Sequence, residues 1–203
     1  MIDIEALSEG DFDNNPFNQF KEWYNSRDTI SNTIPDSVSL GTASADGRVS
    51  VRIVLLKSSD EKGFVFFTNY NSRKSSDLVS NQMAALLFYW SDCGRQIRIE
   101  GHVEKTSEVE SEEYFASRPW ESRVSAWASE QGSVIPDRKY LDSRFEYFKN
   151  YFAGQSVHKP PYWGGFRLIP DWFEFWQDGV FRLHDRIIYR KEENVWIKER
   201  LAP

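Results

Sequence analysis

The sequence predicts a single α+β domain, an antiparallel sheet or barrel with helices packed outside it. Three observations lead there. From Val38, short runs rich in Val, Ile, Phe and Trp alternate with turn signals. Residues 107–152 carry helix caps and helical spacing instead. Strand patterning then returns over residues 162–199. No internal repeat, low-complexity tract or Pro/Gly/Ser linker divides the chain. Residues 16–203 therefore read as one domain, preceded by a loose, acidic segment, residues 1–15. A chain of 203 residues buries about 70% of its unfolded surface and needs no covalent staples.

Each element has a local reason. Pro16 opens a helix with Phe17, Phe20, Trp23 and Tyr24 on one side. Strands 38–44 and 48–56 flank Asp46-Gly47, a strong hairpin signal. A polar turn, 58–62, leads to a strand at 63–68. Ser72 is an N-cap candidate for a short helix ending near Asn81. Strands 83–90 and 96–103 follow, separated by the turn Asp92-Cys93-Gly94. Ser107-Glu-Val-Glu110 is a capping box for a helix running to about Ser117. Pro119 starts another helix, and a third spans 137–152 and stops at Gly154. The closing strands are 162–169, 172–176, 180–189 and 194–199. Gln177-Asp178-Gly179 is turn chemistry, so 180–189 reads as the second arm of a hairpin.

Composition excludes several function classes. The net charge is −6, which argues against nucleic acid, where a basic footprint is expected. No apolar run approaches the ~20 residues of a membrane span. The acidic start (Asp3, Glu5, Glu9, Asp11, Asp13) lacks the basic and apolar regions of a signal peptide. Cys93 is the only cysteine, so no internal disulfide forms and a reducing, cytoplasmic setting is expected. His102, His158 and His184 are scattered without Cys partners, so no metal site is expected. There is no Gly-x-Gly-x-x-Gly after a strand, no Walker loop and no Gly-x-Ser-x-Gly. Aromatics make up 16% of the chain, a wealth suited to core packing and to stacking on a flat ligand.

Against this acidic background, local cationic groups stand out. Arg182, His184 and Arg186 alternate, and on a strand they share one face. That face either meets an anion or forms surface ion pairs. Arg73 and Lys74 sit at a helix start, where cations oppose the dipole unless an anion joins them. Arg52 and Lys57 differ by five positions and point to opposite faces of a regular strand, so they need not hold the same anion. Tyr114 and Arg118 share a helix face, and Ser122 continues the spacing. Two hydroxyls and a guanidinium in a row suit a phosphate oxyanion. The sum points to two phosphorylated ligands held side by side, with a bound organic cofactor supplying the chemistry.

Several runs then match a known family. They are Arg52-Ile-Val-Leu-Leu-Lys57, Phe67-Thr68-Asn69 with Ser72-Arg73-Lys74, Arg95-Gln96, and Tyr114-Phe-Ala-Ser-Arg118-Pro. The closing segment is the most specific: Trp163-Gly-Gly-Phe-Arg167, Phe175-Trp-Gln177, Arg182-Leu-His-Asp-Arg186 and Arg200-Leu-Ala-Pro203. Together they resemble the pyridoxine/pyridoxamine 5′-phosphate oxidases from about Pro16 to the last residue. The resemblance implies an FMN-binding split β-barrel working as a homodimer, with flavin at the subunit interface. It also implies oxidation of phosphorylated B6 vitamers to pyridoxal 5′-phosphate by O₂, with release of hydrogen peroxide.

The resemblance further implies roles. Arg52, Thr68, Arg73 and Lys74 look like contacts to FMN and its phosphate, with Ile53, Val54, Leu55, Leu56, Lys57, Phe67 and Gly132 lining the cofactor. Gln96, Gln131, Trp176 and Arg186 look like flavin contacts from the other subunit. Lys57, Tyr114, Arg118 and Ser122 resemble the substrate-phosphate cradle, and Arg182 and His184 the catalytic residues over the substrate ring. Two departures stand out. No Lys or Arg precedes Lys21, where the family often has a basic N-terminal arm, and Gly132 follows Gln131 where a Ser is usual. A non-catalytic flavin or pyridoxal-phosphate carrier and a split-barrel flavin reductase are the alternatives. The complete substrate-phosphate set argues against both.

Overall fold

The structure is a computed structural model and describes residues 6–27 and 36–203. In chain order the described elements are α1 (Pro16–Ser26), β1 (Ser37–Ala43), β2 (Val49–Leu55), β3 (Ser58–Asp60), β4 (Gly63–Asn69), α2 (Arg73–Ser80), β5 (Met83–Trp90), β6 (Arg95–Lys105), α3 (Glu108–Ser117), α4 (Trp120–Ala128), α5 (Arg138–Tyr151), β7 (Trp163–Gln177), β8 (Asp185–Glu192) and β9 (Val195–Arg200). The strands form one antiparallel sheet in the order β2-β1-β5-β6-β7-β4-β3, with β8 also on β7 and β9 on β8. β2 and β3 lie at opposite ends of that path, yet only Leu56 and Lys57 join them. The sheet must therefore curl until its two edges meet. At the seam Lys57 N donates to Val65 O at 2.8 Å. This is the expected α+β split barrel.

The helices start where expected, but Ser72, at the N-cap position of α2, makes no side-chain capping bond. The Asn15 side chain accepts from Phe17 N ahead of Pro16. Ser107 accepts from Glu110 N, and Asp137 accepts from Tyr140 N. Phe20 and Trp23 of α1 bury against Phe64, Phe88 and Phe175, which line the barrel interior. A second core gathers Phe115, Val124, Phe152 and Val157 around Trp163, at the start of β7.

Four expectations are corrected. Trp163–Gln177 form one continuous strand, β7, rather than two. Pro170 falls where the β6–β7 register shifts, opposite Gly101. A bulge accommodates the missing N–H. A Cβ at Gly101 would overlap the Ile169 carbonyl, which is why glycine stands there. The polar turn 58–62 contains a short strand, β3.

The third correction concerns the hairpin arm at 180–189. Val180–Arg182 is a single 3-10 turn, and β8 begins only at Asp185. Phe181 and Arg182 have φ of 58° and 65°, left-handed values that no strand adopts. Arg182, His184 and Arg186 therefore do not share a strand face. Fourth, part of the segment expected to be loose is held down. Phe12 is buried against Trp23 and Phe175. Lys198 Nζ donates to Glu9 O and Phe12 O, and the Tyr189 hydroxyl donates to Asp13 O. Residues 1–5 of that segment lie outside the described residues.

The outer face of β2 is apolar and open: Val49, Val51 and Ile53 are 70%, 66% and 61% exposed. Gly101→Ala should destabilise the fold by about 2 kcal/mol through strain at the bulge. A thermal melt at fixed protein and flavin concentration should show a Tm fall of roughly 4–8 °C. An unchanged Tm would contradict the close β6–β7 approach.

Candidate active site

A cavity of about 650 Å³ opens at the barrel seam. β2 and the residues after it supply Ile53, Val54, Leu55 and Lys57, and β4 supplies Phe67 and Thr68. Lys74 comes from α2, Tyr114 from α3, Arg118 from the cap after α3, Ser122 from α4 and Gln131 from the loop beyond. Eleven of the sequence-singled residues thus face one space. Ser125, Ser129 and Trp163 line it too and were missed. The two serines continue Ser122 at helical spacing, and that signal could have found them.

Tyr114 stacks on Phe67 at 4.1 Å, and Phe67 on Trp163 at 5.4 Å, making one flat wall. The Arg118 guanidinium carbon lies 4.9 Å from the Trp163 ring centre. Its Nη1 is buried without a hydrogen-bond partner among the described residues. Burial lowers the Arg118 pKa, so its charge is held at a desolvation cost. A half-buried guanidinium with an unpartnered N–H, sharing a cavity with a lysine and hydroxyls, has the chemistry to take an anion.

A second cationic group lies alongside. Lys74 Nζ donates to the Thr68 hydroxyl at 3.0 Å and to Gln131 Oε1 at 3.3 Å. Its pKa is lowered, first by burial and then by Arg52. Arg52 stands behind the cavity. It donates to the Thr42 hydroxyl at 2.7 Å and lies 3.8 Å from the buried Asp77 carboxylate. Arg73 is exposed at the first position of α2. Gln131, which the resemblance grouped with contacts from the other subunit, instead sits in this chain's own cluster. Gly132 has φ of +93°, a conformation that disfavours the usual Ser. Leu56 is buried in the core and does not line the cavity.

The remaining residues form a separate cluster. Gln96, Trp176 and Arg186 are cross-strand partners in one row over β6, β7 and β8. The row is braced by Glu174, buried and ion-paired to both Arg98 and Arg186. The His184 ring lies 4.7 Å from Trp176. Arg182 is exposed on the left-handed turn. Trp163 and Trp176 stand at opposite ends of β7, roughly 40 Å apart along the strand at ~3.3 Å per residue. One copy of the chain therefore divides its cationic residues between two distant places.

The barrel, its helical flank and the cation-lined cavity at the seam define a split-barrel protein. Comparisons with known proteins agree. Residues 32–152 match the family model described as pyridoxamine 5′-phosphate oxidase. Residues 163–203 match the pyridoxine 5′-phosphate oxidase C-terminal dimerisation region. The pyridoxine/pyridoxamine 5′-phosphate oxidase of Microcystis aeruginosa is 49% identical, covering 98% of this chain and 94% of its own. That of Burkholderia multivorans is 50% identical with the same coverage. Among solved structures, PhzG from Burkholderia lata, in complex with tetrahydrophenazine-1-carboxylic acid, superposes with a TM-score of 0.92 at 30% identity. It is covered over 99% of its length and 100% of this chain. An FMN-binding protein from Nostoc punctiforme, 14% identical, shares the fold with a TM-score of 0.73 over 93% of this chain and 98% of its own. The chain belongs to the pyridoxine/pyridoxamine 5′-phosphate oxidase family.

The cationic crowding has a measurable consequence. Lys74 binds fewer protons folded than unfolded between its lowered pKa and its usual 10.5. Its contribution to stability is therefore least favourable below that window and improves as pH rises through it. A bound anion removes the penalty. Flavin-free protein should gain Tm on adding inorganic phosphate at fixed ionic strength, and the gain should shrink as pH rises through the window. A phosphate effect independent of both pH and Lys74→Met would contradict the assignment.

Proposed function

We propose that this chain oxidises pyridoxine 5′-phosphate and pyridoxamine 5′-phosphate to pyridoxal 5′-phosphate, using FMN and O₂ and releasing hydrogen peroxide. The observation that carries the reading is the buried, unpartnered Arg118 Nη1 in a cavity shared with Lys57, Tyr114 and Ser122. Those groups suit the dianionic phosphate of the substrate. The desolvated Lys74, with Thr68, Gln131 and Arg73, fits the phosphate and polar edge of FMN, and Arg52 adds positive charge from behind. FMN held there would supply the redox chemistry, accepting a hydride from substrate C4′ and yielding the electron pair to O₂. The chain needs no nucleophile of its own.

The working unit in this reading is a homodimer. The distance along β7 keeps Gln96, Trp176, Arg186, Arg182 and His184 away from the cavity of their own chain. A second copy brings them to it, with the apolar outer face of β2 as part of the contact. Ile53 and Leu55 belong both to that face and to the cavity lining. The second copy's Arg182 then packs over the pyridine ring and holds C4′ in place, while His184 reaches the same ligand. The Gln96–Trp176–Arg186 row closes against the flavin and excludes water. The lone Cys93 is compatible with a cytoplasmic setting.

A second reading follows from the likeness to PhzG, whose bound tricycle carries a carboxylate and no phosphate. The two are separated by substrate. Pyridoxamine 5′-phosphate in air should yield peroxide and pyridoxal 5′-phosphate. Unphosphorylated pyridoxine should turn over poorly, because it leaves the cradle's buried donors unpaired. Turnover of a reduced phenazine carboxylate with none of the B6 phosphates would decide for the second reading.

Arg118→Ala should raise KM at least tenfold and leave flavin content near normal. Arg73→Ala should weaken FMN roughly ten- to hundredfold, from loss of about 1.5–3 kcal/mol. If Arg118→Ala loses flavin and Arg73→Ala does not, the two anion assignments are reversed.

A further inference from the structure

We infer that Asp178 is a positioning residue for His184: its carboxylate sets which imidazole nitrogen carries the hydrogen and holds the ring plane. The inference rests on the reading of His184 as a substrate-facing residue. It adds a residue that the family motif runs do not contain.

Asp178 Oδ1 lies 3.0 Å from His184 Nδ1. The same oxygen accepts from Gly179 N at 3.0 Å, and Gly179 N–H is also directed at His184 Nδ1, at 3.2 Å. Two groups compete for that nitrogen, and between the neutral tautomers the charged carboxylate, a stronger partner than the backbone N–H, favours hydrogen on Nδ1. If Nδ1 bore a lone pair, it would face a carboxylate oxygen at hydrogen-bond distance with no proton between them, two acceptors in repulsion. With a hydrogen on Nδ1, one carboxylate oxygen accepts from both the ring and the backbone. Nε2 is then left as the ring's remaining polar atom, available to accept a hydrogen bond from a ligand.

The surroundings leave this duty to Asp178. The neighbouring carboxylate, Asp185, already accepts from Arg200 Nη1 at 2.6 Å and from Leu7 N at 2.9 Å. Trp176 covers the ring at 4.7 Å with an interplanar angle of 41°. The turn between β7 and β8 is tight enough that a Cβ on Gly179 would overlap the Leu183 carbonyl. Phe181 and Arg182 hold left-handed angles within it, a placement that costs free energy unless its ends are tied. Asp178 and His184 tie the ends together across that turn. Asp178 is itself 54% exposed, against 21% for His184, so replacing it opens no core.

The test uses the flavin-loaded protein with pyridoxamine 5′-phosphate, and a direct measurement of the ring. Asp178→Ala should lower kcat/KM about tenfold, mostly through kcat, with flavin content unchanged. Asp178→Asn keeps an acceptor oxygen and should recover most of the loss. In a His184→Ala background, Asp178→Ala should add nothing, because it acts through the missing ring. Nitrogen NMR of the neutral His184 ring should report hydrogen on Nδ1 in the native protein and a shift toward Nε2–H in Asp178→Ala. Native kinetics in Asp178→Ala with an impaired His184→Ala, additive losses in the double variant, or an Nε2–H ring in the native protein would each overturn the inference. Native kinetics in His184→Ala would overturn the substrate-facing reading itself, and this inference with it.

Discussion

Two strands at opposite edges of the sheet are joined by only two residues, Leu56 and Lys57, and the rest of the molecule is arranged around that short link. It forces the sheet to curl, and the curl brings β2 against β4. The cavity sits at this seam because the edges meet there while α3 and α4 bridge over it. Lys57 faces the cavity because it is the link, not because it follows the alternation of a regular strand. The opposite faces expected for Arg52 and Lys57 thus have a different origin from strand spacing. Arg52 turns back to Thr42 and Asp77, and Lys57 closes the barrel.

The second constraint is electrostatic. An acidic protein, at net −6, concentrates Arg52, Arg73, Lys74, Lys57 and Arg118 within a few elements of one another. Burial works against the charge of Lys74 and of Arg118. A fold optimised for stability alone would pair or replace such groups. Here the protein carries unfavourable desolvation at the place where anionic ligands would relieve it, a common pattern at functional sites. Glu174 shows the contrast: buried more deeply, it is ion-paired to both Arg98 and Arg186 beside the Gln96–Trp176–Arg186 row.

Most of what was legible in the sequence was local. The Asp46-Gly47 hairpin, the Ser107 cap, the helix start near Asp137 and the Tyr114–Arg118–Ser122 spacing each depend on residues within a turn or two of one another. What stayed hidden depends on partners far along the chain. Pro170 reads as a strand break until Gly101 of β6 is seen to admit a bulge beside it. Nothing in Phe181 or Arg182, ordinary side chains, announces a left-handed backbone, so an alternating run of cations looked like a strand. The approach of Asp178 to His184 is a product of that same unforeseen turn. The resemblance grouped Gln131 with contacts from the other copy of the chain. Only the folded loop shows it beside Thr68 and Lys74.

The central claim is that each active site takes its cavity from one copy of the chain and its Arg182–His184 turn from another. Complementation tests this most directly. Arg118→Ala and His184→Ala chains are each purified, then unfolded and refolded together with FMN, and assayed with pyridoxamine 5′-phosphate. A mixed dimer pairs the intact cavity of one chain with the intact turn of the other, so one of its two sites is native. Random mixing should restore about one quarter of native activity, well above either variant alone, as two-fold symmetry requires. Activity of the mixture no greater than the average of the two variants would mean that each chain builds its site alone.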